Sequence, residues 1–329
     1  MKRFLTVLLC ILMLVSAVLV GCNKAEVKED SAASVKFGAG VYVSAPSATD
    51  ATEDKNGSGK LDVTVAAVTV DADGKIVSCA LDTASNTVGF TAEGKAVAND
   101  GFMTKYEFGA DYNMVAYGGA VKEWFEQADA FEAIVVGKTF DEVKALVAEG
   151  DKGTEEVVNA GCTIMIGEFV GAIEKAYNAA AAEVASDAVL NVKIATEQTC
   201  ADADEDKDGS NKVSVYTFAA AEDAEGKVIS ASSDCVEVSF TFDANGASTL
   251  DTTKDVVSKK EQGDAYGMVA YGGAAKEWYE QAAAFDSACV GKTATEIASL
   301  IAEDGKGTEE VQSAGCTIYV TGFVKAASK

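Results

Sequence analysis

Branched apolar residues gather at Val41 and Val43 and again at Val63, Val65, Val68 and Val70, an Asp-Ala-Asp-Gly turn follows at Asp71 to Gly74, and Ile76 to Leu81 resumes the apolar run. This predicts a β-hairpin in the first part of the chain. Val213 to Phe218, a turn at Glu225-Gly226 and the run from Val228 predict a second one. The period then changes. Val121, Trp124, Phe125, Ala128, Phe131 and Val135 recur at three- and four-residue spacing, with Lys122, Glu123, Glu126 and Gln127 on the other face, which predicts an amphipathic helix. Ala275, Trp278, Tyr279, Ala282, Phe285 and Cys289 predict its counterpart. A short helix is expected around Val143, Leu146 and Val147, matched by Ile297, Leu300 and Ile301, and a last one around Phe169, Ile173 and Tyr177. Strands followed by helices predict an α+β fold, an antiparallel sheet in each half with helices packed on one face.

The halves are copies. DYNMVAYGGAVKEWFEQADAF from Asp111 and AYGMVAYGGAAKEWYEQAAAF from Ala265 agree at 16 of 21 positions, displaced by 154 residues. DKNGSGK from Asp54 and DKDGSNK from Asp206 are displaced by 152, so a two-residue length change falls in a loop between them. Two long units mean a duplicated domain, with the alanine-rich Ala179 to Ala185 as the joint. The expected layout is a leader over 1–21, a linker over 22–35, a first repeat over 36–185 and a second over 186–329.

Composition removes several functions. The 329 residues contain no histidine and one arginine, Arg3, so no imidazole base, histidine-bound metal or guanidinium clamp is available to the body of the protein. A formal charge of −25 makes nucleic acid and anionic bilayer surfaces repulsive partners. The start is different in kind: Lys2 and Arg3, an apolar run from Phe4 to Val20, then Leu19-Val20-Gly21-Cys22 resemble a bacterial lipoprotein signal. The resemblance implies export, acylation of Cys22, cleavage before it, and a body held at the outer side of the cell membrane.

Other motifs read blandly. Gly137-Lys138-Thr139 and Gly291-Lys292-Thr293 lack the earlier glycine of a phosphate loop, since Glu132 and Asp286 occupy its place, and Thr139 with Glu142 and Thr293 with Glu296 are capping boxes instead. Asp204, Asp206 and Asp208 open like a calcium loop, but Val215 stands where the closing glutamate belongs, so a solvated acidic turn is expected. Trp124 and Trp278 belong to the helical stripes and so to the core. Tyr117-Gly118-Gly119 and Tyr271-Gly272-Gly273 either offer amides to an anion or admit close backbone contact. Six cysteines remain downstream of Cys22; Cys79 with Cys162 and Cys235 with Cys316 are the pairings that would join a hairpin to a late segment in each copy, and free core thiols are the alternative. No carboxylate spacing singles out an acid and base, and no catalytic residue is assigned.

NAGCTIMIGEFVGAIEKA from Asn159 and SAGCTIYVTGFVKAASK from Ser313, taken with DGKIVS at Asp73, Asn86-Thr87-Val88-Gly89 and Phe131 to Lys138, resemble the FMN-binding domain of exported bacterial redox proteins. In that family a late threonine can carry FMN as a phosphate ester. The resemblance implies a flavin-carrying electron-transfer protein with FMN as cofactor and a redox partner, and Gly161, Cys162, Thr163, Gly315, Cys316, Thr317, Thr87 and Gly89 as cofactor-binding residues. Ala160 and Ala314 depart from the family's serine, and Val157 and Val311 from its aspartate. The other reading is a non-catalytic surface module that binds a small ligand or an envelope protein.

Overall fold

The computed structural model describes residues 33–329; the leader, Cys22 and the start of the linker lie outside the described residues. The first repeat runs β1 (Ser34–Val43), β2 (Ser47–Thr49), β3 (Gly57–Val70), β4 (Ile76–Phe90), β5 (Ala96–Val97), α1 (Lys105–Phe108), α2 (Trp124–Val135), α3 (Phe140–Lys144), α4 (Glu155–Ala160) and α5 (Gly167–Asn178). Next come β6 (Ala182–Ala185), β7 (Val189–Ala201), β8 (Gly209–Glu222), β9 (Val228–Phe242), α6 (Lys259–Gln262), α7 (Trp278–Cys289), α8 (Ala294–Ile297), α9 (Glu309–Ser313) and α10 (Thr321–Ala327). The fold is α+β, with two antiparallel sheets: β5-β4-β3-β1-β6, to which β2 adds at β3, and β7-β8-β9.

Alternation along β3 assigns its two faces. Ala66, Val68 and Val70 meet Trp124, Phe131, Phe169 and Ile173 of the helices, while Leu61, Val63 and Val65 point the other way. That second face does not meet water. It packs on Ile194, Val213, Val215, Val236, Val238 and Phe240 of the other sheet, so the protein is a four-layer stack of helices, sheet, sheet and helices. Each sheet is therefore covered on both sides, not on the helical side alone. The two repeats share this inner layer, and Ala32–Lys329 is one compact unit.

The sheets meet around an approximate twofold axis. Phe90 and Phe242, equivalent at a displacement of 152, stack with centroids 4.5 Å apart and planes 5° from parallel. Beside them Ala51 N–H donates to the Gly246 carbonyl and Ala203 N–H to the Gly94 carbonyl, both at 2.8 Å, a reciprocal pair at the same displacement.

Three details differ from the sequence reading. The alanine-rich joint closes α5 and then forms β6, antiparallel to the start of β1, because alternation puts Val184 into the core at 4% exposure. α2 starts at Trp124, leaving Val121 95% exposed: the Glu123 carboxylate caps the Met114 and Val115 amides at 2.9 and 3.1 Å and holds Glu123 at the N-cap. Of the two cysteine readings, the hairpin-to-late-segment disulfides are not formed; Cys79, Cys162, Cys200, Cys235, Cys289 and Cys316 are all free thiols. The capping boxes at Thr139 and Thr293 are present, and both tryptophans are buried.

The gap between sheet and last helix is filled differently in the two repeats. Tyr42 of β1 lies against Gly171 of α5, and Tyr216 of β8 lies against Gly322 of α10; a Cβ at either glycine would run into the ring. The ring comes from different strands and the glycine sits one turn apart.

Candidate functional site

α4 ends at Gly161, whose φ of 105° suits glycine, and the next two residues turn the chain toward α5. Thr163 is exposed, but its N–H and hydroxyl both donate to Gln127 Oε1, at 2.8 and 2.9 Å, while Gln127 Nε2 donates to the Lys122 carbonyl at 3.0 Å. Thr317, Gln281 and Lys276 repeat this at 2.9, 2.9 and 3.1 Å. Each buried glutamine thus staples the Gly-Cys-Thr turn to the start of α2 or α7. The Lys122 and Lys276 ammonium groups lie over Gly161 and Gly315, where a Cβ would collide with them. Cys162 and Cys316 are buried, and burial pushes both thiols up to about 11.

The flavin residues are only partly brought together. Gly161, Cys162 and Thr163 form one turn and Gly315, Cys316 and Thr317 another, whereas Thr87 and Gly89 line a separate groove of about 730 Å³ with Asp54 and Asn99. Val157 and Val311 are fully buried in the helical cores. The residues present supply an exposed hydroxyl for a phosphate ester, but no acid at the place where the family's metal-assisted transfer uses one. The Tyr117-Gly118-Gly119 turn has its Tyr117 and Gly118 amides bonded to the Asn113 carbonyl, at 3.1 and 3.3 Å, so they are not offered to an anion. Asp204 and Asp208 are engaged in the turn, accepting from the Asp206 amide and the Thr249 hydroxyl.

The two largest features at the seam between the repeats are clefts related by the twofold axis. One, of about 630 Å³, lies between β1 and β9; the other, of about 450 Å³, lies between β4 and β7. An ion pair joins the repeats at each: Lys175 to Glu261 at 2.6 Å in the first, Lys329 to Glu107 at 2.7 Å in the second. The first has a wall of small side chains, Gly38, Ala39, Gly40, Ala181 and Ala182, where the second has Asn191, Val192 and Lys193. Polar groups face the small wall: Ser230, Ser232, Ser258, Asp234 and Lys260. The Lys260 ammonium donates to Ser232 Oγ at 2.7 Å and makes no salt bridge among the described residues, leaving two of its three donors.

Carboxylates, buried at Asp82, Asp234 and Asp286 and half-buried at Glu132, lie along the outer edges of β4 and β9. Asp82 accepts from the Thr83 and Tyr106 amides at 2.7 and 3.2 Å, and Glu132 of α2 accepts from the Leu81 amide at 2.7 Å. Asp234 and Asp286 do the same for the Cys235, Lys260 and Ser233 amides. These acids consume free donors of the strand edges and, at Tyr106 and Lys260, of the first turns of α1 and α6, which explains their place without invoking an acid and base pair. Burial pushes Asp82 up to about 6, against its hydrogen bonds with Thr104 and the two amides. Burial likewise pushes Glu132 up to about 8, with Asp129 and Asp82 adding repulsion. Asp234 and Asp286 are also raised, by burial first.

Comparisons with protein-family models, with curated proteins and with solved structures find no match. Sequence reading missed the seam clefts, Lys260 and the glutamine staples. One signal was present: the first half-hairpin runs Val63 to Val70 without a charged residue, the pattern of a strand buried on both faces.

Proposed function

We propose that this chain is a lipid-anchored binding protein at the outer side of the cell membrane, holding a small ligand with an apolar body and an anionic group in the cleft between β1 and β9. One observation carries the ligand class: a cleft large enough for a ring system joins a wall of small apolar residues to serine hydroxyls and an ammonium with two spare donors. Cys22 and the leader support the tether. The chain supplies position and desolvation, and no catalytic step is assigned to it. Thermal-shift and native-mass measurements against a panel of aromatic and aliphatic carboxylates and phosphates test this. A hit should weaken about tenfold or more in Lys260→Met, the scale of one charge-assisted hydrogen bond. Binding unaffected by Lys260→Met overturns the assignment.

A second reading, a flavin carried as a phosphate ester on Thr163 or Thr317, is favoured by the exposure of both threonines in the same setting. Bound flavin would supply any electron transfer, and the chain would hold it. Protein purified from its native host should then be yellow and heavier by one or two flavins, with the increment lost in Thr163→Val and Thr317→Val; a colourless protein of unmodified mass removes this reading.

A further inference from the structure

β1 and β7 are equivalent strands with different neighbours. Ser44 N–H donates to the Asp62 carbonyl at 3.0 Å, so by the alternation of an antiparallel ladder the even residues of β1 exchange bonds with β3 and the odd ones face the opposite edge. There β6 is laid on: Ser186 N–H donates to the Ala33 carbonyl at 2.8 Å and Ala181 N–H to the Phe37 carbonyl at 3.1 Å, in the register Ser34 with Ala185 through Phe37 with Ala182. Its Val184 packs with Phe37 and Ala219.

Gly38 of β1 pairs with Val68 and Asn191 of β7 with Ala220, and Val68 and Ala220 are equivalent, so the edge-facing residues of β7 are Leu190, Val192 and Ile194. Among the described residues β7 pairs with β8 alone, and the main-chain groups of these three residues on the other edge bond to nothing. They face the cleft of about 450 Å³ whose opposite wall is Cys79 to Asp82 of β4. That wall cannot use them, since its Leu81 amide is capped by Glu132. One edge in the cleft is blunted; the other is unpaired, half-exposed at Leu190 and Val192 and covered at Ile194.

We infer that the Leu190–Ile194 edge of β7 binds an extended peptide segment of a partner protein by strand addition, as β6 binds β1. The class follows from the surroundings. Main-chain bonds to three alternate residues need four or five extended residues. The β6 template, Ala-Glu-Val-Ala, asks for small side chains with a branched apolar one. The formal charge of −25 favours basic flanks. The inference is independent of the ligand assigned to the other cleft.

The test uses the full chain in neutral detergent and the synthetic peptide acetyl-Lys-Ala-Lys-Val-Ala-Lys-amide. With saturating peptide, deuterium exchange at the Leu190 and Val192 amides should slow about tenfold or more, while amides of β8 stay unchanged. Two versions N-methylated on alternate residues should differ, the one blocked on its β7-facing edge losing the effect. Val192→Pro removes a donor that points away from β8, along with Val192 packing against the inner layer, and should weaken binding about tenfold or more. If that variant fails to fold, the N-methylated pair decides. No protection at millimolar peptide, equal protection by both methylated forms, or protection that tracks protein concentration without peptide would each overturn the inference, the last in favour of pairing between copies.

Discussion

Replacing Glu132 with Gln should stabilise the protein above pH 8 and leave it nearly unchanged at pH 4. Glu132 reaches from α2 to cap the Leu81 amide, and burial pushes its carboxyl from the ordinary 4.5 up to about 8. Between those values the folded chain holds a proton that the unfolded chain has released, so stability falls as pH rises through this window and levels off above it. At about 1.4 kcal/mol per pH unit the ceiling is about 5 kcal/mol, and the partial exposure of the side chain brings the expected cost to about 2–3 kcal/mol. Gln keeps a carbonyl oxygen for the Leu81 N–H and cannot ionise. Urea unfolding followed by Trp124 and Trp278 fluorescence at pH 4, 6, 7 and 9 measures the difference between the two proteins. That difference isolates Glu132, because Asp82, Asp234 and Asp286, also raised, titrate in both. A gap between wild type and variant that is the same at pH 4 and pH 9 refutes the reasoning.

Phe90→Ala should cost about 3–5 kcal/mol and lower the melting of both repeats together, because its ring stacks on Phe242 at the shared axis; two separate calorimetric transitions would contradict a common inner layer. Gly322→Val should destabilise by about 1–3 kcal/mol through collision with Tyr216, and Tyr216→Ala in the same chain should recover part of it, measured as non-additivity in a double-mutant cycle. Gln127→Leu removes the staple on Thr163 and the bond to the Lys122 carbonyl, an expected loss of about 1–2 kcal/mol, with faster exchange of the Thr163 amide as the local readout. Of the six thiols in the body, Cys200 is the exposed one and Cys79 is half-buried, so Cys200 should react first with a thiol reagent under native conditions and the buried Cys162, Cys235, Cys289 and Cys316 only with unfolding.

Local chemistry was legible and long-range chemistry was not. The hairpins follow from β-branched runs around glycine turns, and α5 from an uninterrupted stripe of Phe169, Ile173 and Tyr177. The start of α2 misled because Val121 fits the helical spacing, while the decisive partner, the Met114 amide that Glu123 caps, lies nine residues earlier outside any helix. The alanines before Ser186 look like a linker by composition; only the neighbouring β1 makes them a strand. The clefts exist because one sheet docks on the other with β1 above β9 and β4 above β7, and no stretch of sequence contains both walls. Gln127 and Thr163 are 36 residues apart, and nothing in either segment names its partner.

The reciprocal contacts of Phe90 with Phe242, and of Ala51 and Ala203 with Gly246 and Gly94, are those of two identical molecules associating face to face. A covalent tether between such molecules keeps them at high mutual concentration and frees each from having to recognise itself. The exchanged positions of Tyr42 with Gly171 and Tyr216 with Gly322 are the trace of that freedom, each half having solved the same steric problem separately. Fusion lets a symmetric pair of openings differ, one widened by glycine and alanine and the other narrowed by Asn191, Val192 and Lys193, so a single chain presents two unlike clefts where a dimer of identical halves would present two alike.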